Sequence, residues 1–176
     1  MLLRPDAPVT RPTPTYLSKM AVWPTMLSLT DGTDTAPVAG TRFWSSLPIN
    51  DSCILTGIGF LIGSVGGTDR VIVELHDSKG ELVATSTLAS GGTVVGTTAT
   101  IQQVPFIQPV AIRGPGLYYL VIQINGTTCR FRTLAAGTSA AQTVVTGSAA
   151  GTNGTSIAIT PGTTFTAGVG PIAFTY

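Results

Sequence analysis

The sequence is 176 residues long, 43% hydrophobic and only 10% charged, with a formal net charge of +1, which is enough chain for one domain with a core and too little for two. So balanced a charge supplies no basic field for nucleic acid and no acidic field for basic partners, and an average soluble domain carries about a quarter charged residues. With 21 glycines and 12 prolines among many Thr and Ser, the composition suits turns and strands better than helices, so an all-β chain is expected.

The first segment, residues 1–38, reads as an extended N-terminal arm. It opens Met1-Leu2-Leu3-Arg4, without the apolar core of a signal peptide, and no run in the chain reaches the roughly 18 apolar residues of a membrane helix. The expectation is a protein made and kept in a cytosol. Pro5, Pro8, Pro12 and Pro14 remove backbone donors and favour extended chain. A disordered tail and an arm laid across a neighbour both fit that stretch. From Tyr16 to Leu29, however, the apolar residues, Trp23, Met26 and Leu27 among them, are too many for a free tail, so this part is expected to dock.

Residues 39–134 read as the core of an antiparallel, jelly-roll-like β-sandwich. Short strands are expected near 41–48, 53–63, 69–76, 81–88, 94–104, 107–112, 116–124 and 127–134, separated by turn signals at sandwich spacing. In Val71-Ile72-Val73-Glu74-Leu75-His76 the odd positions form an apolar face and the even ones mix in polar groups, so one side should face a core and the other be partly wet. Asp77-Ser78-Lys79-Gly80 supplies a four-residue hairpin turn. Leu117 to Ile124 is nearly solid apolar and reads as a central strand, and Asn125-Gly126 after it is a strong hairpin signal. On the return strand, Cys129 and Phe131 alternate with Arg130 and Arg132, placing the thiol in the core. Ile54, Ile58, Phe60 and Ile62 define the apolar face of the second strand, which puts Cys53 on the opposite face. Both cysteines are therefore expected to be thiols, on pattern and on compartment.

The last segment, 135–176, reads as an uncharged β and loop segment that completes the sandwich or forms an oligomer interface. From Thr133 to Tyr176 no Asp, Glu, Lys, Arg or His occurs. A flexible linker is the plain account. The recurring apolar residues argue instead for irregular β structure covered by other subunits, with Phe165, Ile172, Phe174 and Tyr176 as interface anchors beside Trp23, Met26 and Leu27 of the arm.

Little in the chain carries catalytic chemistry. His76-Asp77-Ser78 holds the residue types of a hydrolase, but neighbours on a strand diverge and cannot form the relay. Gly57-Ile58-Gly59-Phe60-Leu61-Ile62-Gly63 has the wrong spacing for a dinucleotide loop, and Gly63 to Thr68 has no lysine where a phosphate loop needs one. Asp31, Asp34 and Asp69 fall short of the oxygens calcium takes, and turn chemistry explains them. One histidine and two separated cysteines exclude a single-chain zinc site. Glu74 and Glu81 have no spacing that suggests a glycosidase pair. Trp23, Trp44, Tyr118 and Tyr119 form no repeated stripe of the kind that stacks sugars, so packing is the favoured account of them. No enzyme activity, cofactor or metal is expected.

Three stretches resemble segments of jelly-roll structural proteins of tailed bacteriophages. These are Gly67-Thr68-Asp69-Arg70-Val71-Ile72-Val73-Glu74-Leu75 running into Asp77 to Ala84, Val104-Pro105-Phe106 with Gly114 to Tyr119 and Asn125 to Arg132, and the closing Gly170-Pro171-Ile172-Ala173-Phe174-Thr175-Tyr176. The resemblance covers residues 40–134 and the C-terminal end and leaves the arm unmatched. It implies a virion protein, assembled in the host cytoplasm as a homo-oligomer such as a trimer, without nucleic-acid or membrane contacts. A capsid decoration (cement) subunit bound to the major capsid protein is the leading expectation, and a receptor- or glycan-binding module of a tail fibre or baseplate is the alternative.

Overall fold

A computed structural model describes residues 29–136 and 144–176. The described chain is all-β, as expected, and each of its strand pairings is antiparallel. Its strands are β1 (Leu29–Thr35), β2 (Arg42–Ile49), β3 (Cys53–Leu61), β4 (Arg70–His76), β5 (Leu82–Thr85), β6 (Thr93–Val94), β7 (Ile101–Ile112), β8 (Gly116–Ile124), β9 (Phe131–Ala136), β10 (Thr146–Ala149) and β11 (Ala173–Thr175), with one 3₁₀ turn at Ala89–Gly91. A larger sheet runs β10-β2-β8-β4-β5, with β6 on the same edge of β4 as β5. A smaller sheet runs β11-β3-β7, and β1 pairs with β9 as a two-stranded ribbon.

The pairing is nested: β2 with β8, β3 with β7 inside that, and β4 folded onto β5 by its own hairpin. The inner faces of the two sheets enclose the main core, which includes Phe43, Leu47, Leu55, Ile58, Phe60, Val71, Val73, Leu75, Leu120, Ile122 and Phe131. The hairpin at Asp77–Gly80 forms as its sequence suggests. Asp77 Oδ1 accepts from the backbone N–H of Lys79 and Glu81 at 2.8 and 2.9 Å, and Gly80 takes the left-handed φ of +84°.

Asn125-Gly126, by contrast, does not close a hairpin. Both edges of β8 are already occupied, by β2 and β4, so the following strand has no ladder to join and β9 pairs with β1 instead. The loop between is held by Asp69, whose Oδ2 accepts from the N–H of Thr128 and of Cys129, each at 2.8 Å. The strands expected near 94–104 and 107–112 are largely one strand, β7. Its ladder to β3 steps from Gly57–Pro105 to Leu55–Val110, which leaves residues 106–109 out of register around Pro109.

That irregularity also corrects the face of Cys53. The bulge at Thr56 reverses the alternation of β3, so Cys53 and Leu55 point inward with Ile58, Phe60 and Ile62, while Ile54 faces out. Cys129 lies in the core as expected, and no disulfide joins the two.

The segment assigned to an arm ends in β1. Asp31 to Asp34 is part of this strand, with a bulge between Asp31 and Asp34, rather than a turn. The rest of the arm, with Trp23, Met26 and Leu27, lies outside the described residues.

Candidate functional site

The small sheet presents its outer face to solvent. None of the residues of β3, β7 and β11 is charged, and by strand alternation Ile101, Gln103, Pro105, Ile107 and Ala111 of β7 point outward beside Ile54 of β3. Ile107 is 62% exposed, Ile54 57% and Ile101 49%. A depression of about 260 Å³ between β5 and β7, lined by Val83, Ala84, Ile107 and Val110 among others, adjoins this face.

At its β11 edge the face carries two aromatic rings. Phe174 lies over Gly59 and Tyr176 over Gly57, so close that a Cβ on either glycine would come within 2.3 Å of the ring or hydroxyl. The glycines of Gly57-Ile58-Gly59 are thus seats for aromatic rings, a role that needs no phosphate. Burial pushes the Tyr176 hydroxyl's pKa above the usual tyrosine value. Of the other expected anchors, Phe165 and Ile172 pack against buried Leu134 and Val144 of the same chain. The structure therefore brings Phe174 and Tyr176 together on one face and sets Phe165 and Ile172 beside β9.

The outer face of the large sheet is roofed instead of wet. Register places Arg42, Gln123 and Ile72 in one row across β2, β8 and β4, Trp44, Val121 and Glu74 in the next, and Ser46, Tyr119 and His76 in the third. All nine are buried, because the uncharged chain from Val144 onward folds back over them: β10 pairs with β2, and Ile159 and Val145 pack on Trp44, Tyr119 and Val121. Even positions of β4 were expected to be partly wet. The roof, distant in sequence, is what dries them.

Several polar groups beneath the roof find partners in it. Gln123 Nε2 donates to the carbonyls of Gly40 and Thr152 at 3.0 and 3.2 Å, and its Oε1 accepts from Gly154 N–H at 3.1 Å. Glu74 Oε2 faces Arg42 Nε at 3.4 Å and His76 Nε2 at 3.0 Å, and Oε1 accepts from Ser156 Oγ at 2.7 Å. Arg42 Nη2 donates to the carbonyl of Thr155. His76 Nδ1 lies 2.9 Å from the Gly80 carbonyl oxygen. A carbonyl and a carboxylate oxygen thus face the two ring nitrogens.

His76, Asp77 and Ser78 do not converge: His76 points under the roof while Asp77 caps the turn. Among the described residues no group of three or more His, Cys, Asp or Glu side chains is placed to hold a metal. Asp34 and Asp69, weighed as oxygen ligands, serve the backbone. A hydrogen bond from Ser64 and the guanidinium groups of Arg132 and Arg130 hold the Asp34 carboxyl below its ordinary pKa. Hydrogen bonds from Cys129 and Thr128 do the same for Asp69.

Comparisons with protein-family models, curated proteins and solved structures find no match.

Sequence reasoning missed the buried Arg42–Glu74–His76 network. A signal was present, since three ionisable residues of a charge-poor chain fall on two apolar strands, and charges in such strands are buried as partners. What could not be read was the diagonal reach from β2 to β4 across Val121.

Proposed function

We propose that the chain is a non-enzymatic structural subunit of a tailed-phage virion that decorates the capsid, using the outer face of the small sheet to bind the head lattice. The observation that carries this reading is the uncharged, isoleucine-bearing face of β3 and β7. An apolar patch of this kind on a charge-poor protein is an interaction surface. The nested antiparallel pairs β2-β8 and β3-β7, one in each sheet, support a jelly roll. The stretches that resemble phage jelly-roll proteins fall on β4, β5, β7 and β8, on the loop into β9, and on β11.

Decoration acts by mass action: a protein that binds only the assembled lattice shifts the equilibrium toward it, against the pressure of packaged DNA. The partners in this reading are the major capsid protein and further copies of the chain, as a homo-oligomer such as a trimer, within the virion.

The test is binding to capsids that lack the protein. Wild type should saturate at hundreds of copies per head, on the order of the lattice subunit number expected for a cement protein. Ile101→Asp and Ile107→Asp should reduce occupancy strongly while thermal stability stays close to wild type, since both side chains are exposed. Full occupancy by both variants, or only a few copies per particle, would remove the reading.

A further inference from the structure

Under the roof, one wall of donors has no acceptor. Arg42 Nη1 and Trp44 Nε1 are buried without a hydrogen-bond partner among the described residues, on side chains that are 1% and 4% exposed. Both residues line a cavity of about 320 Å³, open to solvent, between β10 and the chain from Ile157 to Gly162. Buried N–H groups in folded proteins are satisfied with few exceptions, so two beside one cavity mark a place built for an acceptor.

Charge narrows the acceptor. Arg42 shares its carboxylate partner, because the Glu74 Oε2 that faces its Nε at 3.4 Å also faces His76 Nε2 at 3.0 Å. Arg42 Nη2 is committed to a neutral carbonyl, that of Thr155. The remaining Nη1 is a cationic donor and the Trp44 indole a neutral one, and neither can accept. Two lone-pair oxygens carrying negative charge answer that pair best, because charge-assisted hydrogen bonds are shorter and stronger than neutral ones. Ser148 and Thr160 add hydroxyls to the lining, and Ile157 and Ala158 add apolar surface. The volume lies at the small end for ligand pockets.

From this geometry we infer that the cavity is a binding site for a carboxylate on a molecule of about monosaccharide size, with Arg42 Nη1 and Trp44 Nε1 as its donors. The chemistry has two sources, a simple organic acid and a uronic acid of an acidic sugar. The site is on the face opposite the small sheet and does not depend on the capsid reading.

The experiment follows the Trp44 indole N–H by nitrogen-15 NMR in the full chain, its peak separated from that of Trp23 by the Trp23→Phe variant. Propionate, glucuronate and glucose are titrated in parallel at constant pH and ionic strength. A saturable shift of the Trp44 peak with at least one carboxylate and none with glucose is expected, and the tighter of the two acids identifies the source. No shift with either carboxylate, or an equal shift with glucose, overturns the inference. Ala158→Phe puts a ring into the cavity from an exposed position on its wall and leaves Arg42 and Trp44 themselves unchanged. It should abolish the shift while the remaining spectrum holds, and a wild-type titration of this variant also overturns the inference.

Discussion

Gly59 and Phe174 are register partners on β3 and β11, and the ring of Phe174 fills the space a Cβ on Gly59 would need, 2.3 Å from its Cζ. A side chain at position 59 therefore competes with the ring that holds down the end of the chain. Gly59→Val should cost roughly 1–3 kcal/mol, the usual range for forced overpacking. It should also raise amide exchange at Phe174 and Thr175 above that of β8. Gly162→Ala is the control, because nothing lies within 4 Å of a Cβ there. Equal stability of the two variants in urea would show that the ring is not seated on the glycine.

Strand identity was legible where period and both edges agreed. β4, the Asp77–Gly80 turn and the buried centre of β8 were all readable from local pattern, because alternation and turn chemistry act within a few residues. The misreadings at Cys53, at Asn125-Gly126 and on the even face of β4 share one cause. Each was decided by chain remote in sequence: the ladder of β7, the occupied edges of β8, and the roof from Val144 onward. The same holds for the site. The glycines at 57 and 59 were visible, but the rings that need them lie more than a hundred residues away.

Cys129 and Asp69 provide a chemical test. Desolvation, with the nearby Asp69 carboxylate, pushes the Cys129 thiol up to about 12, so it stays protonated and slow toward electrophiles in the native state. Half-buried Cys53 should react first with a thiol reagent, and Cys129 only on unfolding. Intact mass after alkylation in denaturant without reductant should show two added groups. Finding none would mean that the thiols are oxidised.

Asp69 titrates lower in the folded chain than its ordinary value of 3.8. Its contribution is therefore complete above that value and is lost as pH falls through the lower folded one. Urea midpoints followed from neutral pH into acid should drop less steeply for Asp69→Asn than for wild type, from a lower starting stability. An unchanged acid slope would remove Asp69 from the account of the 125–129 loop.

The Arg42–Glu74 pair is fully buried, so removing one partner leaves a charge without compensation. Glu74→Leu alone should cost about 3–5 kcal/mol, whereas Arg42→Met with Glu74→Leu should recover most of that loss, since a hydrophobic replacement of the whole pair is often neutral. A double-mutant cycle in urea measures the coupling. Additive losses would indicate that Arg42 is held by the Thr155 carbonyl rather than by Glu74.

The uncharged C-terminal segment makes the last prediction. A long stretch without charge is costly to solubility when exposed, and the fold gives most of it an intramolecular use. Residues 170–172 run between the end of β3 and β9: Leu61 N–H donates to Ile172 O at 3.0 Å, Ile172 N–H to Arg132 O at 2.9 Å, and Leu134 N–H to Gly170 O at 2.8 Å. A carboxylate at half-buried position 172 would sit against Leu134 and Val144 with no cation offered by the segment itself, and taking an unpaired charge out of water costs up to several kcal/mol. Ile172→Asp should thus lower thermal stability even at dilutions where the chain is monomeric, with loss of exchange protection in β11 and β9 before β4 and β8. An interface role alone predicts a different pattern: a smaller particle in light scattering with the stability of the isolated chain intact. Measuring both over a dilution series separates the two. Wild-type stability at the lowest concentration would show that Ile172 does not close the fold.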